Sequence, residues 1–127
     1  MLAYDFEMVC NLGAHGISLT NLHNAWRVAT SVYDIRRTSV RLIGALTNTM
    51  VTSVYRGAGR PEAILTIERL IDMAAPKLGI DRVDLRRRNM ITRAQLPYAT
   101  ASGLTWDSGD FSGNMDETLK LVDWRGF

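Results

Sequence analysis

The segment Tyr55-Arg56-Gly57-Ala58-Gly59-Arg60-Pro61-Glu62 gathers the sharpest chemical signal in this 127-residue chain. Two glycines let a ligand approach the backbone, and Pro61 suits the first position of a helix, where leading N–H groups lack partners inside the helix. Arg56 and Arg60 flank the glycines. Exposed amides, a positive helix end and two guanidinium groups together make a cradle for an anion or an oxo group. A tight turn with surface arginines is the plain alternative that accompanies any short motif of this kind.

Other chemistries find less support. Glu62 stands where a dinucleotide-binding fingerprint needs its third glycine, and no Gly-Lys-Ser/Thr follows, so neither a Rossmann site nor a P-loop is read. His15 and His23 lie eight positions apart without a nearby acidic pattern, and no metal ligand is assigned. Arg82, Arg86, Arg87, Arg88 and Arg93 alternate with Asp81 and Asp84 and lack an aromatic stacking platform, which favours a solvated or interface helix face over nucleic-acid binding. The single cysteine, Cys10, excludes an internal disulfide or a multi-thiolate cluster within these residues and has no recognisable thiolate-stabilising neighbours.

The elements that must position the loop follow from periodicity. Ala3–Val9 alternates well enough for a strand ending in a turn at Asn11-Leu12-Gly13. Leu19, Leu22, Trp26 and Ala29 suit one face of a helix within 19–32, and the β-branched residues of Ile35–Leu46 suit a half-buried strand in which Gly44 marks a bulge or a close contact. Val51–Tyr55 reads as a second extended piece. The helix begun at Pro61 carries Ile64, Ile67, Ile71, Ala74 and Leu78 as its apolar stripe and should stop near Pro76, with Gly79 completing the break. Asp81 caps a shorter helix to about Asn89, with Val83 and Leu85 inward. Residues 92–110 read as irregular, and Asp110 or Ser112 caps a last helix bearing Met115, Leu119 and Val122. Trp106, Trp124 and Phe127 read as core or interface anchors.

At 46% hydrophobic and 22% charged residues the chain is an ordinary folded one, long enough for one core. The net charge is +2, distributed as +1 over residues 1–54, +4 over 55–93 and −3 over 94–127, too little overall for a polyanion binder. The uncharged run 8–26 is broken by Asn, His, Ser, Thr and Gly, so no membrane span is read. The acidic start does not resemble a secretory signal, which makes the cytoplasm the expected location.

Several blocks follow one another in a familiar order: Tyr55-Arg-Gly-Ala-Gly-Arg-Pro-Glu-Ala63, Ile67-Glu-Arg-Leu-Ile-Asp72, Leu78-Gly-Ile-Asp81, Leu85-Arg-Arg-Arg-Asn89, Leu96-Pro-Tyr98 and Asp107-Ser-Gly-Asp-Phe111. Together they resemble the molybdopterin-binding large subunit of the xanthine dehydrogenase, aldehyde oxidase and carbon monoxide dehydrogenase family, from about Val32 to Phe127, with Asn11-Leu12-Gly13-Ala14 a weaker extension. The resemblance implies an α+β fold, short extended segments packed against a long helix, with residues 1–127 forming an internal slice of a molybdopterin-binding domain.

It also implies a molybdenum–pterin cofactor shared with segments outside the match, with Tyr55, Arg56, Gly57, Ala58, Gly59 and Arg60 forming one cofactor loop. The implied partners are the remaining large-subunit segments, iron–sulfur and FAD subunits or domains, and a small organic substrate. No iron–sulfur cluster is expected in this chain. Copper-containing members carry a cysteine after the Tyr-Arg pair, where this chain has Gly57, so no copper is expected. Xanthine-type members place a stacking aromatic at Ala58. No residue fills the family's catalytic glutamate, since Glu62, Glu68 and Glu117 belong to helices beyond the loop. The chain alone is therefore expected to be inactive, either a split subunit or a non-catalytic remnant or assembly module.

Overall fold

The computed structural model describes residues 1–126; Phe127, read above as an anchor, lies outside the described residues. Strand β1 (Ala3–Gly13), helix α1 (Thr20–Arg27) and strand β2 (Arg37–Leu46) come first, with the two strands parallel and paired from Ala3↔Arg37 onward. A parallel pair needs a crossover, and α1 supplies it. The alternation seen in the sequence sets which face is buried: Tyr4, Phe6 and Leu12 point inward, while Asp5, Glu7 and Asn11 face out. The pairing runs longer than Ala3–Val9, and its register shifts between Asn11 and Gly13. Gly44 marks a close contact, because a Cβ there would stand 2.7 Å from Leu12 Cδ1.

Helix α2 (Arg60–Leu78) packs its side against the inner face of this sheet and against α1. Its buried stripe is Ala63, Ile67, Ile71 and Ala75, rotated from the one expected, and Ile64 and Leu78 face solvent. The small residues Ala63 and Ala75 let the backbone approach the core, where Ile67 is 1% exposed and its burial contributes about 1.5–3 kcal/mol. Pro76 does not end the helix. It sits in the last turn, so only one intrahelical bond is forfeited, and the stop comes at Gly79 in the left-handed conformation, with Ile80 N–H donating to the Ala75 carbonyl at 3.0 Å.

Asp81 caps helix α3 (Arg82–Arg87) by accepting from Val83 N at 2.7 Å and Asp84 N at 3.2 Å, and Leu85 is buried. Residues 92–110 are more ordered than expected: a 3₁₀ turn at Arg93–Gln95 precedes a small antiparallel hairpin of β3 (Tyr98–Ala99) and β4 (Thr105–Trp106). Trp106 secures the hairpin by donating its indole N–H to Ser31 O at 3.2 Å. Helix α4 (Phe111–Leu121) is capped by Asp110, with Met115 and Leu119 half-buried and Val122 exposed. Trp124 lies at the surface beneath Arg82, 5.3 Å from guanidinium carbon to ring centroid.

Two polar networks fasten these elements. Arg86, whose side chain is 17% exposed, is no solvated arginine: it bridges Glu68 at 2.7 Å and Asp72 at 2.9 Å, while Tyr33 donates to Glu68 at 2.6 Å. Burial, reinforced by Glu68, pushes the Tyr33 hydroxyl far above its ordinary range. Asp34 accepts from Arg36, Gln95 and Tyr98 at once and ties the approach to β2 to the 3₁₀ turn and the hairpin.

Candidate functional site

Val51–Tyr55 forms no strand; it crosses the surface unpaired and delivers the chain to Tyr55–Arg60 at the start of α2. Tyr55 is 80% exposed, and the Arg56 guanidinium lies over its ring at 6.0 Å. Gly57, Ala58 and Gly59 have φ of +76°, +39° and +91°. Three successive left-handed residues make the reversal, and Ala58 holds a conformation that an L side chain rarely adopts.

This bend determines which groups are spent internally. Ala58 N donates to Tyr55 O at 3.4 Å and Arg60 N to Gly57 O at 3.1 Å, while Arg60 Nη1 reaches the same Gly57 carbonyl at 3.3 Å. Among the described residues the amides of Arg56, Gly57 and Gly59 have no hydrogen-bond partner. Unpartnered N–H groups between two arginines fit an anion or an oxo group, as the residue types suggest.

The two glycines have different tasks. A Cβ on Gly59 would stand 1.9 Å from the Asn21 carbonyl oxygen, so Gly59 is seated against the first turn of α1 and is buried. Gly57 is exposed, with the Pro61 ring 3.0 Å from its would-be Cβ. Only Gly57 therefore offers open backbone to a ligand. Asn21 was not legible as a loop contact, since nothing in a helix start nearly forty positions upstream marks it as the loop's seat.

Other sequence candidates lie apart from this chemistry. Glu68 is engaged by Tyr33 and Arg86, and Glu117 by Lys120 at 2.6 Å. His23 stacks on Trp26. A second feature was missed: Asn11 near the end of β1 gathers Thr47, Thr49 and Thr52, whose clustering as Thr/Asn residues after β2 was its only sequence trace. No helix of the described residues is long and apolar enough to cross a membrane.

The family described as the molybdopterin cofactor-binding domain matches residues 1–90, a stretch that includes all of Tyr55–Arg60. The chain belongs to that family. Among its relatives, the carbon monoxide dehydrogenase large chain of Hydrogenophaga pseudoflava is 36% identical over 105 residues, covering 79% of this chain and 13% of the relative. The xanthine dehydrogenase of Oryza sativa subsp. japonica is 29% identical over 129 residues, covering 96% and 9%. The crystal structure of quinoline 2-oxidoreductase from Pseudomonas putida 86 superposes with a TM-score of 0.87 at 27% identity, over 95% of this chain and 16% of that one. This molybdopterin cofactor-binding chain thus has the α+β fold of a molybdenum hydroxylase domain and spans 9–16% of the length of these relatives.

Proposed function

We propose that residues 1–127 are part of a molybdopterin-binding domain and contribute Tyr55–Arg60 as one loop of a molybdenum cofactor site. The site is completed by the remaining large-chain segments and served by iron–sulfur and FAD partners. The observation that carries this reading is the open Gly57 backbone, with exposed, unpartnered amides at Arg56 and Gly57, in a stretch the family match contains. The molybdenum–pterin group, when bound, supplies the redox chemistry that hydroxylates a carbon of a small organic substrate with water-derived oxygen. This chain's own part is to bind and orient. The exposed amides of Arg56 and Gly57 would hold the group's oxygen ligands, Arg56 would offset negative charge, and the left-handed turn holds these donors in place beforehand, so little reorganisation is needed.

Gly57 occupies the position where a copper-holding cysteine stands in the copper enzymes, so the loop lacks the soft thiolate ligand copper prefers, and we propose a copper-free site. Ala58 supplies no stacking surface for a flat heterocycle. With Glu68 and Glu117 committed to other partners, no catalytic carboxylate is assigned and the chain alone is inactive on this reading. Residence in the cytoplasm belongs to the same proposal.

The test is Gly57→Val in an enzyme assembled from this chain and its complementary segments. A β-branched side chain at a left-handed φ crowds the exposed backbone and lowers turnover at least about tenfold, equivalent to about 1.4 kcal/mol. Unchanged turnover would remove the loop from the site. A second reading, a non-catalytic remnant or assembly module, is favoured by the commitment of Glu68 and Glu117 to other partners. The coding context discriminates: neighbouring frames for the rest of the large chain support a split subunit, and degraded ones support the remnant.

A further inference from the structure

Asn11 lies near the end of β1, at the point where the parallel register slips, and its groups are bonded on several sides. Its Oδ1 accepts from Gly13 N at 2.9 Å and from Thr47 Oγ1 at 2.7 Å, its Nδ2 donates to Thr49 Oγ1 at 3.0 Å, and its carbonyl accepts from the Thr52 hydroxyl. Backbone bonds run alongside, from Ala14 N to Thr49 O at 3.1 Å and from Thr47 N to Gly13 O at 3.0 Å. Segment 47–52 is thereby folded back over Gly13, whose would-be Cβ stands 2.3 Å from Met50 O.

We propose that Asn11 is a positioning residue for the Tyr55–Arg60 loop, clasping its upstream leg through Thr47, Thr49 and Thr52 while Gly59 on Asn21 seats its downstream leg. This rests on the cofactor-loop reading for its function, though not for its geometry. Four residue steps separate Thr52 from Arg56, a reach of at most about 14 Å, so holding Thr52 on the Asn11 carbonyl restricts where the free amides can lie. The bend contains three left-handed residues and makes few bonds of its own, so it keeps its shape only when both ends are held. Because Asn11 bonds to three threonines at once, its bonds support one another more than separate contacts would.

Limited trypsin digestion of the cofactor-free chain tests the clasp. Arg56–Gly57 is a cleavable bond within the loop, whereas Arg60 is shielded by the following Pro61. Cleavage after exposed Arg125 serves as a reference, and cleavage after half-buried Arg86 reports general loosening. Thr52→Val, which keeps the shape and removes one hydroxyl at an exposed site, is expected to speed cleavage after Arg56 about fivefold. Asn11→Ala is expected to speed it at least as much, and Thr52→Ser to restore the parent rate, with Arg125 and Arg86 unaffected by the Thr52 substitutions. An unchanged Arg56 rate in Thr52→Val, or a rise matched at Arg86, overturns the clasp. If the clasp fails while Gly57→Val still abolishes turnover, the cofactor reading stands alone; if the clasp holds and Gly57→Val is silent, that reading falls and the clasp remains.

Discussion

Gly59 and Gly79 both adopt positive φ, at +91° and +64°, yet the structure gives them unequal importance. An added Cβ at Gly79 meets nothing within 4 Å, so Gly79→Ala pays only the left-handed backbone cost of about 1–2 kcal/mol. At Gly59 the same methyl group overlaps the Asn21 carbonyl, and Gly59→Ala is expected to cost about 2–5 kcal/mol. Urea midpoints at matched protein concentration check this; equal losses would show that the loop does not rest on α1. The residue types alone marked both glycines as turn formers. They could not reveal that Gly59 is sealed by a neighbouring helix and Gly79 stands in open space, because that depends on where Asn21 lies.

Element boundaries set by local rules were readable, and those set by packing were not. Asp81 and Asp110 cap helices as expected because a cap is a contact between near neighbours in sequence. The buried stripe of α2 was misjudged because Ile64 and Leu78 are apolar enough to belong to it, while the sheet and α1 accept only the narrower line of Ala63, Ile67, Ile71 and Ala75. Asp34 shows the same dependence on distant partners, since Gln95 and Tyr98 reach it from the hairpin region. The Arg36 guanidinium, and then Tyr98 and Gln95, outweigh partial burial and hold the Asp34 carboxyl below the usual carboxylate range. A carboxyl with a lowered folded pKa stabilises above its unfolded value near about 4, and that contribution disappears as pH falls through the folded value. Asp34→Asn should therefore be weaker than the parent at pH 7, with the gap narrowing as pH falls below the unfolded carboxylate value near about 4, as followed by urea midpoints across that range. A gap independent of pH would assign the loss to geometry rather than charge.

On the whole-molecule scale the fold leaves apolar surface uncovered. Leu65 on α2 is 70% exposed and Leu121 on α4 is 86% exposed, and the two parallel strands have no further strand beside them among the described residues. Parallel sheets are ordinarily covered on both faces and two-stranded sheets are weak alone, so this surface calls for a neighbour. The purified chain should accordingly sediment at micromolar concentration as species larger than its 14.2 kDa monomer. Metal analysis should find far less than one molybdenum per chain, because a single loop supplies only part of a cofactor's donors. A monodisperse monomer would contradict the first expectation, and one tightly held molybdenum per chain the second.

The ordered blocks from Tyr55 to Phe111 sufficed to reveal the family, the long helix and the loop, since each is a run of neighbouring residues whose types and spacing carry the signal. The parallel pairing of β1 with β2, the seat of Gly59 on Asn21 and the clasp at Asn11 became visible only in three dimensions. Each joins residues roughly 35 to 40 positions apart. At such separations the partner is chosen by how the whole chain packs, and no local pattern records that choice.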